Sequence, residues 1–250
     1  MSNRNRSENT KDGRGEVKNR NMAELLMAVM FLTAVFLISR EAGLMVSGQA
    51  VEAKMHSPVV VIDSGHGGMD PGKIGVDGSQ EKEINLQIAK RLKRYLESSG
   101  VEVVMTREDD RGLYEEKDSH KKMADMKNRC AKIAQVDPEL IISIHQNSYH
   151  EEAVSGGQVF YYQTSERGKR LAEILQRRFD YVLGEKNRRK AKPNGTYYLL
   201  LHVKQPIVIV ECGFLSNREE AAKLNLEEYQ DRLAWTIHMG VMEFLNEEGR

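Results

Sequence analysis

The chain has 250 residues, 40% of them hydrophobic and 30% charged, which is the composition of an ordinary globular protein with room for one sizeable core. Lysine plus arginine and aspartate plus glutamate are 37 each, so the net charge is zero. That balance argues against a nucleic-acid binder, which carries a basic excess or stripe.

In chain order, Met1 to Met22 is polar and basic without apolar periodicity, and is expected to be disordered. Residues 23–53 form an expected signal peptide or membrane anchor plus linker. A charge-free run, Leu25 to Ile38, follows the basic flank, and Gly48-Gln49-Ala50 and Val51-Glu52-Ala53 both suit signal-peptidase cleavage. The run is long for a signal core and short for a spanning helix, so cleavage and anchoring both stay open. Either way, the expected location is extracytoplasmic.

Residues 57–250 read as one folded domain, with no Pro- or Gly/Ser-rich linker dividing it. The β-branched run Pro58 to Ile62 predicts a strand buried on both faces. Ile84, Ile88, Leu92 and Leu96 fall at helical spacing within Glu81 to Ser98, and Gly100 stops that helix. Further strands are expected at Val101 to Met105, Leu140 to Ile144, Gly157 to Tyr162 and Ile207 to Val210. Helices are expected at Lys117 to Gln135, Glu166 to Leu183 and Tyr229 to Leu245, and Asn217 with Glu220 reads as a capping box. Strands alternating with helices give an α/β fold: a single domain with a mostly parallel twisted sheet covered by helices on both faces.

Cys130 and Cys212 match no metal or redox spacing and read as two small core residues. The cluster Arg188, Arg189, Lys190 and Lys192 reads as a solvated loop.

Three candidate functional residues sit at strand ends. His66 follows the first strand in Gly65-His66-Gly67-Gly68, His145 ends the strand LIISI and Glu211 ends the strand IVIV. Ligands of open α/β sheets bind beyond the carboxyl ends of the strands, so these side chains converge if the strands are parallel neighbours. Glu81 joins them if the first loop returns its helix start to the same rim. Two histidines and a carboxylate make a catalytic zinc site, in which the pKa of bound water falls to about 7, and a second carboxylate serves as base. Each piece has a plainer reading: a histidine at a strand end is commonly structural, and a Gly-His-Gly-Gly turn commonly just a turn. His56, His120, His150, His202 and His238 are weaker ligand candidates.

Four segments carry a resemblance. VVVIDSGHGGMDPGKIGVDGSQEKEINLQIAKRL, VMTREDD, LIISIHQNS and VIVECGFLSNREE, in that order, resemble the motifs of the zinc-dependent N-acetylmuramoyl-L-alanine amidases of the Amidase_3 type, across nearly all of Val59 to Leu245. The resemblance implies one zinc ion per chain held by His66, Glu81 and His145, with Glu211 as the catalytic acid/base. Glu81 is preferred to Glu83 because the family's ligand directly precedes a lysine, here Lys82. Ser64 and Cys212 depart from residues common in the family, at positions that hold no ligand. Asn147 is a candidate for substrate contact or for supporting His145, and equally for capping the turn.

The resemblance also implies the substrate, peptidoglycan, and the reaction, hydrolysis of the amide between N-acetylmuramic acid and L-alanine. The basic and tyrosine-rich stretches Arg189 to Lys192 and Tyr197 to Leu200 resemble the germination-specific branch of spore formers. That branch makes muramic-δ-lactam in spore cortex, with a muramic acid deacetylase as a pathway partner. Two alternatives stand beside this reading: a zinc peptidase acting on stem-peptide crosslinks, and a non-catalytic peptidoglycan-binding module.

Overall fold

The computed structural model describes residues 22, 24–43, 57–183 and 187–249. Contacts divide the chain into two units, residues 1–56 and Ser57–Arg250.

In the first unit, helix α1 (Glu24–Gly43) is long and apolar enough to cross a membrane, with a mean hydropathy of 1.9 over its most apolar 18 residues. At 1.5 Å per residue it spans about 30 Å, the thickness of a bilayer's hydrocarbon core. It outruns the charge-free segment Leu25 to Ile38 at both ends, taking in Glu24, Arg40 and Glu41. The small-residue cleavage motifs, and all of residues 1–21, lie outside the described residues.

The second unit holds strands β1 (Val59–Ser64), β2 (Glu102–Met105), β3 (Leu140–Asn147), β4 (Gln158–Tyr162), β5 (Lys192–Asn194) and β6 (Ile207–Phe214). Its helices are α2 (Glu81–Ser98), α3 (Lys121–Val136), α4 (Glu166–Leu183), α5 (Tyr198–His202), α6 (Arg218–Leu224) and α7 (Glu227–Glu248). The six strands form one sheet in the order β2-β1-β3-β6-β4-β5. The first four in that order are mutually parallel, whereas β4 runs antiparallel to β6. The reversal has a simple cause. Parallel neighbours need a crossover of a dozen or more residues, usually a helix. The connection from β3 to β4 has only ten residues, 148–157, and no helix, so the chain turns back.

Side chains of a strand alternate between faces. Val60, Ile62, Leu140, Ile142, Ile144, Val208, Val210 and Cys212 join the larger core under α2, α4 and α7. Val61, Ile141, Ile207 and Ile209 join a smaller core with Ile133 of α3 and Leu199 and Leu200 of α5. Both faces are therefore covered, as the β-branched runs predict. Cys212 packs in the larger core and Cys130 against the smaller one, on opposite sides of the sheet, and both are free thiols.

Three local expectations are revised. α3 starts four residues later than expected, at Lys121, and stops where Asp137 takes a left-handed conformation (φ 49°) before Pro138. Asn217 does cap α6, accepting from the Glu220 amide at 2.9 Å. The Glu220 carboxylate, however, takes the amides of Phe214 (2.8 Å) and Gly156 (2.9 Å), tying the β3–β4 connection to the end of β6. The basic loop is only partly solvated: the Arg189 guanidinium lies 4.8 Å above the Phe214 ring and donates to the Ser155 carbonyl.

Candidate active site

By the same alternation, Asp63, Ser143, His145 and Glu211 share the face of Val61, Ile141 and Ile209, towards α3 and α5. His145 and Glu211 are direct register partners on adjacent parallel strands. Asp63 and Ser143 are likewise partners, joined by a hydrogen bond of 2.6 Å from the serine hydroxyl.

Glu81 reaches the site from the first residue of α2. The loop before it closes through Gly75–Ser79 and Lys73–Glu81 backbone hydrogen bonds, which return the helix start to the strand ends. Its carboxylate is 2% exposed and stands between the two histidines. Nε2 of His66 is 3.1 Å from Oε2, and Nδ1 of His145 is 3.0 Å from Oε1. The amides of Lys73 (2.8 Å) and Gln146 (3.1 Å) donate to the same two oxygens. Burial opposes ionisation of Glu81, but the hydrogen bonds and charges of His145 and His66 hold its carboxyl far below the usual range. One ligand atom from each of His66, Glu81 and His145 lies within 4.8 Å of the others.

Glu211 is 7% exposed, and its Oε2 is buried without a hydrogen-bond partner among the described residues. Burial pushes its carboxyl up to about 7, with the Glu81 charge adding to the effect and His145, His66 and Lys73 opposing it. It lines a cleft of about 530 Å³ together with His66, Glu81, His145, Asn147 and Tyr197.

Two glycines are required by this crowding. A Cβ on Gly65 would penetrate the His145 ring, and one on Gly72 would lie 2.5 Å from Glu81 Oε2 and 2.8 Å from His66 Cδ2. His66 itself has φ 62°, a strained value for a non-glycine residue. Two buried arginines hold that loop. Arg107 donates to the carbonyls of Ser64 (3.0 Å) and Gly65 (3.0 Å). Arg129 donates to Ser64 (2.8 Å) and His66 (2.5 Å), and pairs with Asp63 (2.7 Å) and Asp125 (2.6 Å).

The donor set suits a divalent cation. A neutral imidazole carries one N–H and one lone pair. His66 has Asp70 at one nitrogen and Glu81 at the other, which a neutral ring satisfies when a cation sits on the Glu81 side. Two imidazoles with one carboxylate, and a fourth position open, is the donor set of catalytic zinc.

The sheet and the first loop thus bring His66, Glu81, His145 and Glu211 together. Asn147 also lines the cleft, where its Oδ1 accepts from the Ser148 amide at 2.8 Å, a turn cap. The weaker histidines lie apart: His238 bonds Ser99, His202 stacks on Tyr198, His150 is exposed, His120 precedes α3, and His56 lies outside the described residues. Sequence reasoning passed over Asp70, Arg107 and Arg129. Asp70 had a faint signal in its spacing of four from His66, whereas Arg129 read as one more polar residue of a polar helix.

The comparisons with known proteins agree with one another. The family model described as N-acetylmuramoyl-L-alanine amidase matches residues 60–243. The germination-specific N-acetylmuramoyl-L-alanine amidase of Bacillus subtilis (strain 168) is 37% identical over 194 residues, covering 76% of this chain and 81% of that protein. The amidase LytC of the same organism is 33% identical over 201 residues, covering 78% of this chain and 38% of its own length. Among solved structures, the CwlD amidase from Clostridioides difficile, in complex with the GerS lipoprotein, superposes with a TM-score of 0.74 at 37% identity, covering 76% of this chain and 99% of that one. The catalytic domain of CwlV from Bacillus (Paenibacillus) polymyxa superposes with a TM-score of 0.66 at 31% identity, covering 76% and 98%. With a family match over residues 60–243, a Bacillus subtilis amidase 37% identical over 81% of its length and a solved amidase 37% identical over 99% of its chain, the chain belongs to the N-acetylmuramoyl-L-alanine amidases of the Amidase_3 family.

Proposed function

We propose that this amidase cuts peptidoglycan at the amide between N-acetylmuramic acid and L-alanine, holding one zinc ion with His66, Glu81 and His145 and using Glu211 as acid and base. One observation carries the reading. Two imidazoles face the two oxygens of a single buried carboxylate, and a second buried carboxylate with an unpartnered oxygen lines the same cleft.

Zinc, when bound, supplies Lewis acidity towards the scissile carbonyl and makes water more acidic. The chain's own residues supply the proton traffic and the geometry. Glu211, held near neutrality by burial, takes the proton of the attacking water as the new C–O bond forms at the amide carbon. The C–N bond then breaks, and Glu211 returns that proton to the departing alanine nitrogen. The products are a free lactyl carboxyl on the muramic acid and a peptide with a free amino-terminal L-alanine. Gly65 and Gly72 leave the room in which the His145 and His66 rings stand.

The likeness to a germination-specific amidase supports a role in spore cortex. There the freed carboxyl, with an amine freed by a muramic acid deacetylase, provides the two ends of a muramic-δ-lactam. The solved CwlD complex contains a lipoprotein, GerS, and no deacetylase, so the deacetylase is proposed as a pathway partner and not as a bound subunit. Helix α1, behind a basic amino terminus, supports action outside the cytoplasm, either as an anchor or as a cleaved signal.

The test is turnover of muropeptides by the full chain in detergent, with added zinc and with chelator, read by mass spectrometry. The reading requires chelator-sensitive release of L-alanine-led peptides. Cleavage inside the stem peptide would indicate a peptidase instead, and binding without cleavage would indicate a wall-binding module.

A further inference from the structure

His66 is enclosed by two carboxylates. Nδ1 lies 2.9 Å from Asp70 Oδ2, while Nε2 lies 3.1 Å from Glu81 Oε2. For Nε2 to offer its lone pair to a cation, the ring proton must sit on Nδ1. Only one tautomer of a neutral ring does this, and a free imidazole populates both. The group at Nδ1 therefore decides how much of His66 is ready to bind.

Asp70 is held in place for that task. The chain reverses tightly after His66, and Gly67 and Asp70 pair as a short antiparallel bridge, with Gly67 N to Asp70 O at 3.0 Å and Asp70 N to Gly67 O at 3.2 Å. Gly67 (φ 132°) and Gly68 (φ 59°) supply backbone conformations that other residues resist. The reversal brings the Asp70 carboxylate back to Nδ1 of the His66 ring. Its other oxygen, Oδ1, takes the Gly72 amide at 3.3 Å, and Lys122 Nζ lies 3.3 Å from Oδ2. Both carboxylate oxygens are thereby engaged, and the one at Nδ1 points at a ring whose backbone Arg129 already fixes. His145 differs. Its Nδ1 faces Glu81, and among the described residues no carboxylate stands at its other nitrogen.

We propose that Asp70 is a positioning residue, which takes the Nδ1 proton of His66, fixes the tautomer and ring orientation, and so sets the zinc affinity of the whole site. The proposal rests on reading the site as a metal centre. Carboxylates behind ligating histidines act in this way in zinc sites generally, and losing one typically weakens metal binding about 10- to 100-fold.

The experiment uses the full chain in detergent and its Asp70→Ala and Asp70→Asn variants, with zinc itself as the probe. Zinc affinity is read by competition with a chromogenic chelator. Histidine nitrogen-detected NMR of the zinc-loaded proteins reads the Nδ1–H of His66. The expected result is a roughly 10- to 100-fold weaker affinity in both variants. The hydrogen-bonded Nδ1–H resonance of His66 should be lost, while the His145 signals stay in place. Asp70→Asn keeps the volume and an oxygen for the Gly72 amide, so it carries the test if Asp70→Ala fails to fold. A wild-type chain that binds zinc, beside an Asp70→Asn variant with the same affinity and the same His66 signal, overturns the role of Asp70 alone. A wild-type chain that binds no zinc, or binds it unchanged after His145→Ala, overturns the metal-centre reading and this proposal with it.

Discussion

His145 on β3 and Glu211 on β6 stand opposite each other in register on adjacent parallel strands, with their side chains on one face of the sheet. Glu81 arrives from a different element and lies between the histidines. The two glutamates therefore have different surroundings, one ringed by donors and the other buried with a spare oxygen, and they should respond differently to the same substitution.

Glu211→Gln keeps size and hydrogen-bonding capacity but removes the proton acceptor. It should fold, retain stoichiometric zinc and lose about two to four orders of magnitude in turnover. Glu81→Gln should lose zinc, because a neutral amide is a poor ligand and two imidazoles then lack their shared carboxylate. Zinc content by elemental analysis, beside turnover, checks both. A Glu211→Gln chain with near-normal turnover sinks the assigned mechanism.

Gly65→Ala adds one methyl group where the His145 ring already stands. The ring must move, so zinc affinity should fall sharply even though Gly65 carries no side chain of its own to contribute. A calorimetric zinc titration is the measurement, and unchanged affinity would show that the ring has room to shift without leaving the site.

Arg129 is 1% exposed, with Asp63, also 1% exposed, and Asp125 as its acidic partners. Arg129→Met strands buried Asp63 without its cation, a loss worth about 3–5 kcal/mol. It also frees the His66 carbonyl, so zinc affinity should fall together with the melting temperature. A variant with wild-type melting temperature and affinity would show the network to be dispensable.

The same network predicts acid sensitivity. Burial alone would raise the Asp63 carboxyl, but Arg129, the Ser143 hydroxyl and His145 outweigh it and hold the pKa at about 2. A carboxyl depressed in the folded state stabilises the protein above its unfolded pKa of about 4, and that contribution is lost as pH falls towards 2. About two pKa units correspond to roughly 2–3 kcal/mol. Denaturant melts from pH 6 down to pH 2 should show this loss in the wild-type chain. Asp63→Asn should be less stable at pH 6 and show a shallower slope between pH 4 and 2. Identical slopes would remove Asp63 from the account.

Helix α1 predicts that the chain, or a reporter fused to residues 1–53, is carried to or across the membrane. A reporter active only outside the cytoplasm should score positive. A silent reporter with normal expression would count against export.

The sequence by itself determined the elements whose signal is local. The β-branched runs of β1, β3 and β6 and the apolar stripe of α2 need only their own residues to declare them, and three of the four motifs hold the candidates His66, Glu81, His145 and Glu211. Short elements escaped. β5 has three residues and α5 has five, too few to show a period, and both exist because neighbours hold them: β5 pairs with β4, and Leu199 and Leu200 of α5 fill the smaller core. The direction of β4 was equally silent, since a strand reads the same whichever way it runs. Only the tertiary structure decided which polar residues serve the site from behind. Asp70 meets His66 through a turn set by two glycines. Arg129 reaches the Ser64 and His66 carbonyls from a helix more than sixty residues away in sequence. A buried hydrogen bond between distant segments leaves no period and no local composition. It is fixed by the packing that removes water from both partners and makes an unpaired group costly.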